Sequence, residues 1–240
     1  MWGVTVQHQR VSFKNLLLAR LEPADLARLA PHLTPITFPH RMPLIAPGQP
    51  IERCYFLESG VASVIMTTAD GKQAEIGLIG REGMIDVATV MGGGRTPLEV
   101  FIHMPGDALS VPTSEVVALF DDSRAFRRLL LGFAHSFLIQ VSQTALASVT
   151  LRIEDRLARW LLMSSDRSDS NTFPITHEFL SLMLGVRRAG VTDALNSLVA
   201  AGYISTTRGQ ITIIDRAGLE ERAGDSYGVP EANYGTLVED

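Results

Sequence analysis

The chain has 240 residues, 46% hydrophobic and 20% charged, with a net charge of −5, a length that allows one or two domains with cores of their own. No uninterrupted apolar run approaches the roughly 18 residues that cross a bilayer, and residues 1–15 lack the apolar core of a secretory signal, so a cytoplasmic protein with no membrane partner is expected. The single cysteine, Cys54, excludes an internal disulfide and any zinc or iron–sulfur site that needs about four thiolates, while the acidic total argues only mildly against nucleic acid, because a reading head needs just a local basic face.

In chain order, the pattern predicts a helix over 14–21 and a second from Pro23 to His32, with Leu26, Leu29 and Leu33 at helical spacing and Pro31 and Pro35 closing it. From Ile36 to Pro112 the signals become those of short strands. Cys54 to Leu57 is a brief apolar run ended by Ser59-Gly60, and Val61 to Thr67 is another strand. Asp70-Gly71 predicts a type I′ hairpin turn, with positive φ at both residues. In Gln73 to Leu78, Ala74, Ile76 and Leu78 alternate with Gln73, Glu75 and Gly77, and further on Leu98, Val100 and Ile102 alternate with Glu99, Phe101 and His103. Pro105-Gly106 turns into a last strand, Ala108 to Val111. Short strands punctuated by Gly and Pro predict an antiparallel barrel or roll.

A long helix follows over 123–148. Phe126, Leu130, Phe133 and Phe137, continued by Gln140, Thr144 and Ala147, lie close to heptad spacing. That pattern predicts a seam against a second copy of the helix, with packing on the chain's own barrel as the alternative. A further helix begins near Thr150 with Leu151, Ile153, Leu157, Trp160 and Leu161; 164–172 reads as a polar loop, and the tail from Gly224 as partly disordered.

The segment from Thr176 to Ala200 predicts a helix-turn-helix. Thr176 can cap the first helix and Glu178 suits its first turn. Leu180 and Leu184 read as inward, Ser181 as small enough to admit the second helix, and Gly185 as the turn, since glycine tolerates positive φ. Val186, Val191, Ala194 and Leu195 read as the buried side of the second helix. Its N-terminal part offers Arg187, Arg188, Thr192 and Asp193, at the end that enters the major groove in such units. Arginine can grip a guanine edge or a phosphate. Ser205 to Thr207 and Ile211 to Ile214 form a β wing whose turn places Arg208 near the DNA backbone.

Here the chain resembles the cyclic-AMP receptor and fumarate–nitrate regulator (Crp/Fnr) family of bacterial transcription factors, over roughly residues 15–214. The resemblance rests on Val149 to Leu157, Leu182 to Arg188, Val191 to Leu195 and Leu198 to Ile204, and on the order of elements. It implies an α+β chain: a cyclic-nucleotide-binding-like β-roll over 14–122, a dimerisation helix over 123–148, a winged helix-turn-helix over 149–215 and a tail over 216–240. It also implies a homodimer on a double-stranded, two-fold symmetric operator, with RNA polymerase as a further partner if the protein activates genes. Arg188 matches the family's guanine-reading arginine, but Ala189 and Asp193 stand where readers of TGTGA- or TTGAT-like half-sites carry glutamate and a second arginine, so a different target is expected.

The sensor departs as well. The Gly-Glu pair that holds the ribose in nucleotide-binding members is matched to Gly83-Met84, and the phosphate-holding Arg-Thr pair to Arg95-Thr96. Methionine cannot replace the carboxylate, and Phe137 and Leu138 occupy the adenine-contacting Thr-Ser positions. The expected effector pocket is therefore Gly83, Met84, Arg95, Thr96, Phe133 and Phe137, with no resident cofactor, cyclic AMP disfavoured, and either another small molecule or no effector at all. Without N-terminal cysteines an iron–sulfur cluster is excluded, and His103 and His135 read as structural rather than haem ligands. An enzyme is not expected: His32, His40 and His103 are scattered and Gly92-Gly93-Gly94 lacks the Lys-Ser/Thr of a phosphate loop. The remaining alternative is a ligand-binding regulator that acts on a protein.

Overall fold

The computed structural model describes residues 12–228; the expectations for the extreme N-terminus and for 229–240 lie outside the described residues. Helix α1, Leu16–Ala19, is shorter than predicted and is held at its first turn. The buried Asn15 side chain accepts the N–H groups of Leu17 and Leu18 and donates to the carbonyls of Leu57 and Gly83. Helix α2, Pro23–Leu29, tightens into a 3₁₀ turn over Ala30–His32.

The roll comprises β1 (Thr34–Phe38), β2 (Pro43–Ile45), β3 (Arg53–Leu57), β4 (Val61–Thr67), β5 (Gln73–Ile79), β6 (Met84–Ile85), the short helix α3 (Val87–Val90), β7 (Glu99–Met104) and β8 (Gly106–Pro112). They form two antiparallel four-stranded sheets, ordered β1-β8-β3-β6 and β2-β7-β4-β5. The β4–β5 turn corrects the type I′ expectation. Only Gly71 has positive φ (83°), and the Thr68 and Gly71 amides bond to Lys72 O and Thr68 O. The result is a longer loop closed by one left-handed glycine.

Helix α4 (Thr113–Asp122) leads to α5 (Arg124–Thr150), capped by the Ser123 hydroxyl on the Phe126 amide. Its aromatic stripe is not a seam to a second chain. Phe126, Leu130, Phe133 and Phe137 are buried on the roll with Phe56, Val64, Met84 and Ile102. The seven-residue repeat is satisfied within the chain because the roll offers α5 a straight apolar trough. The opposite face carries Leu131, Leu138, Leu146 and Val149, between 45% and 83% exposed. Apolar on both sides, α5 has a mean hydropathy of 1.3 over 18 residues, which meets the length and composition of a membrane span, yet one side of it is packed on the roll.

The C-terminal domain continues with α6 (Ile153–Asp166), β9 (Thr172–Phe173), α7 (His177–Leu184), α8 (Arg188–Ala200), β10 (Ile204–Thr207), β11 (Gln210–Ile213) and α9 (Arg216–Ala223). Three features depart from expectation. Ser164, Ser165 and Asp166 belong to α6, β9 adds a third strand to the wing by pairing with β11, and the expected tail begins as a capped helix. Helix α9 lies against α6 through Leu219 and Ala223, tied by Arg222 to Glu154 and Asp155. Residues 224–226 form a 3₁₀ turn, and the Tyr227 hydroxyl donates to Asp166.

This domain is packed on the outside of the β2-β7-β4-β5 sheet. Ala62 and Val64 of β4 point into the core shared with α5, whereas Val61 and Ile65 enter a second core with Leu157, Trp160, Phe179, Leu180, Val191 and Leu195. Alternate residues of a strand face opposite sides. A strand covered on both sides buries consecutive residues, as Val61 to Ile65 does.

Candidate nucleic-acid interface

The α7–α8 unit is assembled as its sequence predicts. The Thr176 hydroxyl accepts the Phe179 amide at 3.1 Å, and Gly185 adopts φ 62°, with the Val186 amide returned to Ser181 O. Leu180, Leu184, Val191, Ala194 and Leu195 are buried; Val186 is half-buried. Ser181 lines a cleft between α7 and the Lys72-Gln73 end of β5. A close approach lies at Gly190, where a Cβ would be 2.8 Å from the terminal methyl of Ile153 on α6.

Arg187, in extended conformation, caps α8, and Arg188 is its first residue; both are exposed, as are Ala189 and Asp193. Two cationic side chains therefore stand at a helix N-terminus, whose free N–H groups also favour anions. Thr192 is half-buried. Its hydroxyl donates to Arg188 O and contacts His177 Nδ1, each at 3.1 Å, so it staples α8 to itself and to α7. Arg208 is exposed at the wing tip beside Gly209, φ 74°, where Thr207 pairs with Gln210. Thr176, Arg187, Arg188, Asp193 and Arg208 are all exposed in the C-terminal domain, with Thr192 behind them.

The six residues expected to form an effector pocket divide into two groups. Gly83, Met84, Phe133 and Phe137 pack together. A Cβ on Gly83 would collide with the Phe133 ring, Met84 is wholly buried, and the two phenylalanine rings stand 6.4 Å apart. Gly77 likewise leaves room for Phe137, whose ring would be 2.8 Å from a Cβ there. Arg95 and Thr96 stand apart: Arg95 is exposed and donates to Gly48 O, while Thr96 Oγ1 accepts the Leu98 amide. The buried carboxylate of this region is Asp86, which the sequence did not single out. At φ 115° it accepts from the Ala88 and Thr89 amides and the Thr89 hydroxyl, and burial pushes its pKa up. Cys54 is buried, its thiol pushed up to about 12 by desolvation. Among the described residues no cluster of His, Cys, Asp and Glu is arranged to hold a metal ion; His135 is exposed on α5.

Sequence reasoning also missed the junction between roll and C-terminal domain. The Trp160 indole N–H donates to Glu75 Oε1 at 2.7 Å, and the His103 ring lies 5.0 Å from Trp160 and 4.8 Å from Phe179. Arg167 pairs with Glu82 at 2.6 Å, and Arg81 with Asp169 at 3.0 Å. Gly80 is required there, since a Cβ would lie 2.8 Å from the Arg167 side chain.

Comparison with known proteins agrees with this layout. The cyclic nucleotide-binding domain model matches residues 35–123 and the Crp-like helix-turn-helix domain model residues 155–222. A CRP-like cAMP-activated global transcriptional regulator of Mycobacterium tuberculosis is 22% identical over 210 residues, 85% of this chain and 94% of that protein. A global nitrogen regulator of Synechocystis is 25% identical over 78% of this chain and 87% of its own length. In fold, a Crp/Fnr-family transcriptional regulator from Eubacterium rectale superposes with a TM-score of 0.70 at 17% identity, covering 88% of this chain and 98% of that one. With both domains matched in order on one chain, and a long helix joining the roll to the helix-turn-helix, the protein belongs to the Crp/Fnr family of DNA-binding transcription regulators.

Proposed function

We propose that the protein acts in the cytoplasm as a homodimer that binds a two-fold symmetric DNA site through α8 and the wing, and that cyclic AMP is not its effector. The observation that carries the DNA reading is the pair Arg187 and Arg188, exposed at the start of a helix whose other side is fully buried. One of these arginines reads a base edge and the other holds phosphate, with Arg208 on the flanking backbone. Asp193, exposed on the same helix, favours a cytosine amine and penalises phosphate, so the target differs from the family's common half-sites. An activator would also touch RNA polymerase.

The exposed stripe Leu131, Leu138, Ala145 and Val149 supports the dimer, since it repeats at coiled-coil spacing on the side of α5 that the roll leaves open. The argument against cyclic AMP is steric and chemical. Phe133 and Phe137 close on Gly83 and Gly77, no carboxylate stands at position 84, and Arg95 is turned to Gly48. The roll then either takes a different small molecule or serves as a fixed scaffold.

Selection of bound sites from random DNA tests the reading. A symmetric motif with salt-sensitive affinity is expected, and binding to no sequence at any salt overturns it. Arg188→Ala should cost about 1–3 kcal/mol on the selected site; an equal loss on random DNA assigns Arg188 to phosphate. Leu138→Glu should leave the monomer folded and weaken the dimer on the order of 100-fold through like-charge burial, read by sedimentation. An unchanged association constant would remove α5 from the interface.

A further inference from the structure

The roll and the DNA-binding domain meet over a buried surface that contains ionisable groups no catalytic or binding role explains. Glu75 is 7% exposed, inside a junction of β5, α5, α6 and α7. A bulge in the β4–β5 pairing, between Val64 and Ile65, turns Glu75 to the same side as Leu78, towards α6. There its Oε1 accepts the Trp160 indole N–H. On the neighbouring strand His103 is 3% exposed, held edge-on between Trp160 and Phe179, and neither ring nitrogen has a hydrogen-bond partner among the described residues.

We propose that docking of the DNA-binding domain onto the roll is coupled to protonation of Glu75, which makes this junction a proton-sensitive latch between sensor and reader. A neutral carboxyl still accepts the indole N–H through its carbonyl oxygen, more weakly than a carboxylate does but without the cost of a buried charge. The charged groups nearby have partners of their own. Arg159 of α6 bonds to Ser226 O and Thr144 Oγ1, Arg156 donates to Leu184 O, and Arg167 is paired with Glu82. Ser63 on β4 contributes only a hydroxyl, α5 offers Thr144 and Ser148, and α7 offers Met183 and Leu184. Burial outweighs Ser63, Trp160, Arg159 and Arg167 together and pushes the Glu75 carboxyl up to about 8. His103 is pushed the other way, down to about 3, by burial and by His40, whose Nδ1 meets the His103 carbonyl.

The two groups give the latch a defined pH profile. The docked state holds a proton on Glu75 that the open state releases above the ordinary carboxylate range. Docking therefore weakens as pH rises towards 8, about tenfold per unit. His103 is neutral when docked and takes a proton when open, so docking weakens as pH falls below about 6.5. Between roughly pH 4.5 and 6.5 the two slopes cancel, and from 6.5 to 8 Glu75 dominates, for an overall change of about tenfold, since Glu75 is already half-titrated at pH 8.

Hydrogen exchange of the Trp160 indole N–H in the full-length protein, corrected for intrinsic exchange, reads the opening equilibrium directly. The wild type should open about tenfold more at pH 8 than at 6.5, and Glu75→Gln, which keeps the acceptor and cannot ionise, should lose that slope. The carboxyl ¹³C resonance of Glu75 in the wild type should titrate well above the ordinary carboxylate range, a measurement that does not depend on the variant folding. A wild-type slope retained in Glu75→Gln, no slope in the wild type, or a carboxyl titration in the ordinary range would each overturn the latch.

Discussion

The roll makes two large internal interfaces, one with α5 and one with the DNA-binding domain, and each buries a polar side chain at β5. At the first, Gln140 of α5 donates to Leu78 O and accepts the Leu78 amide, so an uncharged group is satisfied at both ends. Beside it Phe133 and Phe137 fill the space left by Gly83 and Gly77. At the second, the buried groups are a carboxyl with one indole donor and an imidazole with no partner for either ring nitrogen among the described residues. Neutral, fully paired groups fix one arrangement; ionisable and underpaired groups leave the balance open to solution conditions. If the proposed latch holds, the α5 interface is the fixed one and the reader interface the adjustable one.

The sharpest way to break that contrast is Phe133→Ala. The ring is 3% exposed and in contact with the Gly83 backbone, so its removal leaves a cavity the two sheets cannot close. A loss of about 3–5 kcal/mol is expected in urea unfolding of the roll. A loss under about 1 kcal/mol would mean that the interior is loosely filled and the steric case against cyclic AMP fails with it. Gln140→Leu comes next. It orphans the amide and carbonyl of Leu78, and a cost of about 2–3 kcal/mol is expected in the same measurement, since a buried polar group without a partner costs about 1–3 kcal/mol. If the roll kept its stability, the α5 interface would be no more fixed than the other.

What the sequence made legible follows the same division. The alternating and continuous apolar runs of β4 and β7, the stripe from Phe126 to Ala147 and the slots around Gly185 are local patterns, and each folds locally as read. The stripe reads as a seam to a partner helix, and wrongly so, because periodicity shows that a face is buried, not what covers it. In β7, Phe101 and His103 alternate with Val100 and Ile102 as a solvent face would, but the DNA-binding domain covers them. Glu75 is harder still: in phase with Gln73 and Gly77 it reads as exposed, and only the bulge opposite Val64 and Ile65 reverses it. The residues read as DNA contacts are exposed apart from Thr192, and their places were legible because caps and helix N-termini are set by neighbours within four residues. Helix α9 escapes a sequence reading because Arg216 to Ala223 is short and weakly apolar, and its stability comes from Leu219 and Ala223 meeting α6.

The smallest expected effect belongs to Thr176, where capping and DNA contact can be separated. Its hydroxyl accepts the Phe179 amide, so Thr176→Ala should cost about 1 kcal/mol. The loss should appear as faster hydrogen exchange in α7 with no change in urea unfolding of the roll, because α7 lies on the adjustable side of the molecule. Thr176→Asp keeps the cap, since a carboxylate oxygen accepts the same amide and suits the helix N-terminus. Exchange in α7 should therefore return to the wild-type rate. Were the residue next to a phosphate, the aspartate would at the same time weaken binding to all DNA, specific and random, and steepen its loss with salt. Restored exchange with unchanged DNA affinity would confine Thr176 to holding α7 in place. Exchange that stayed fast in the aspartate variant would show that the threonine methyl, and not the cap, is what α7 depends on.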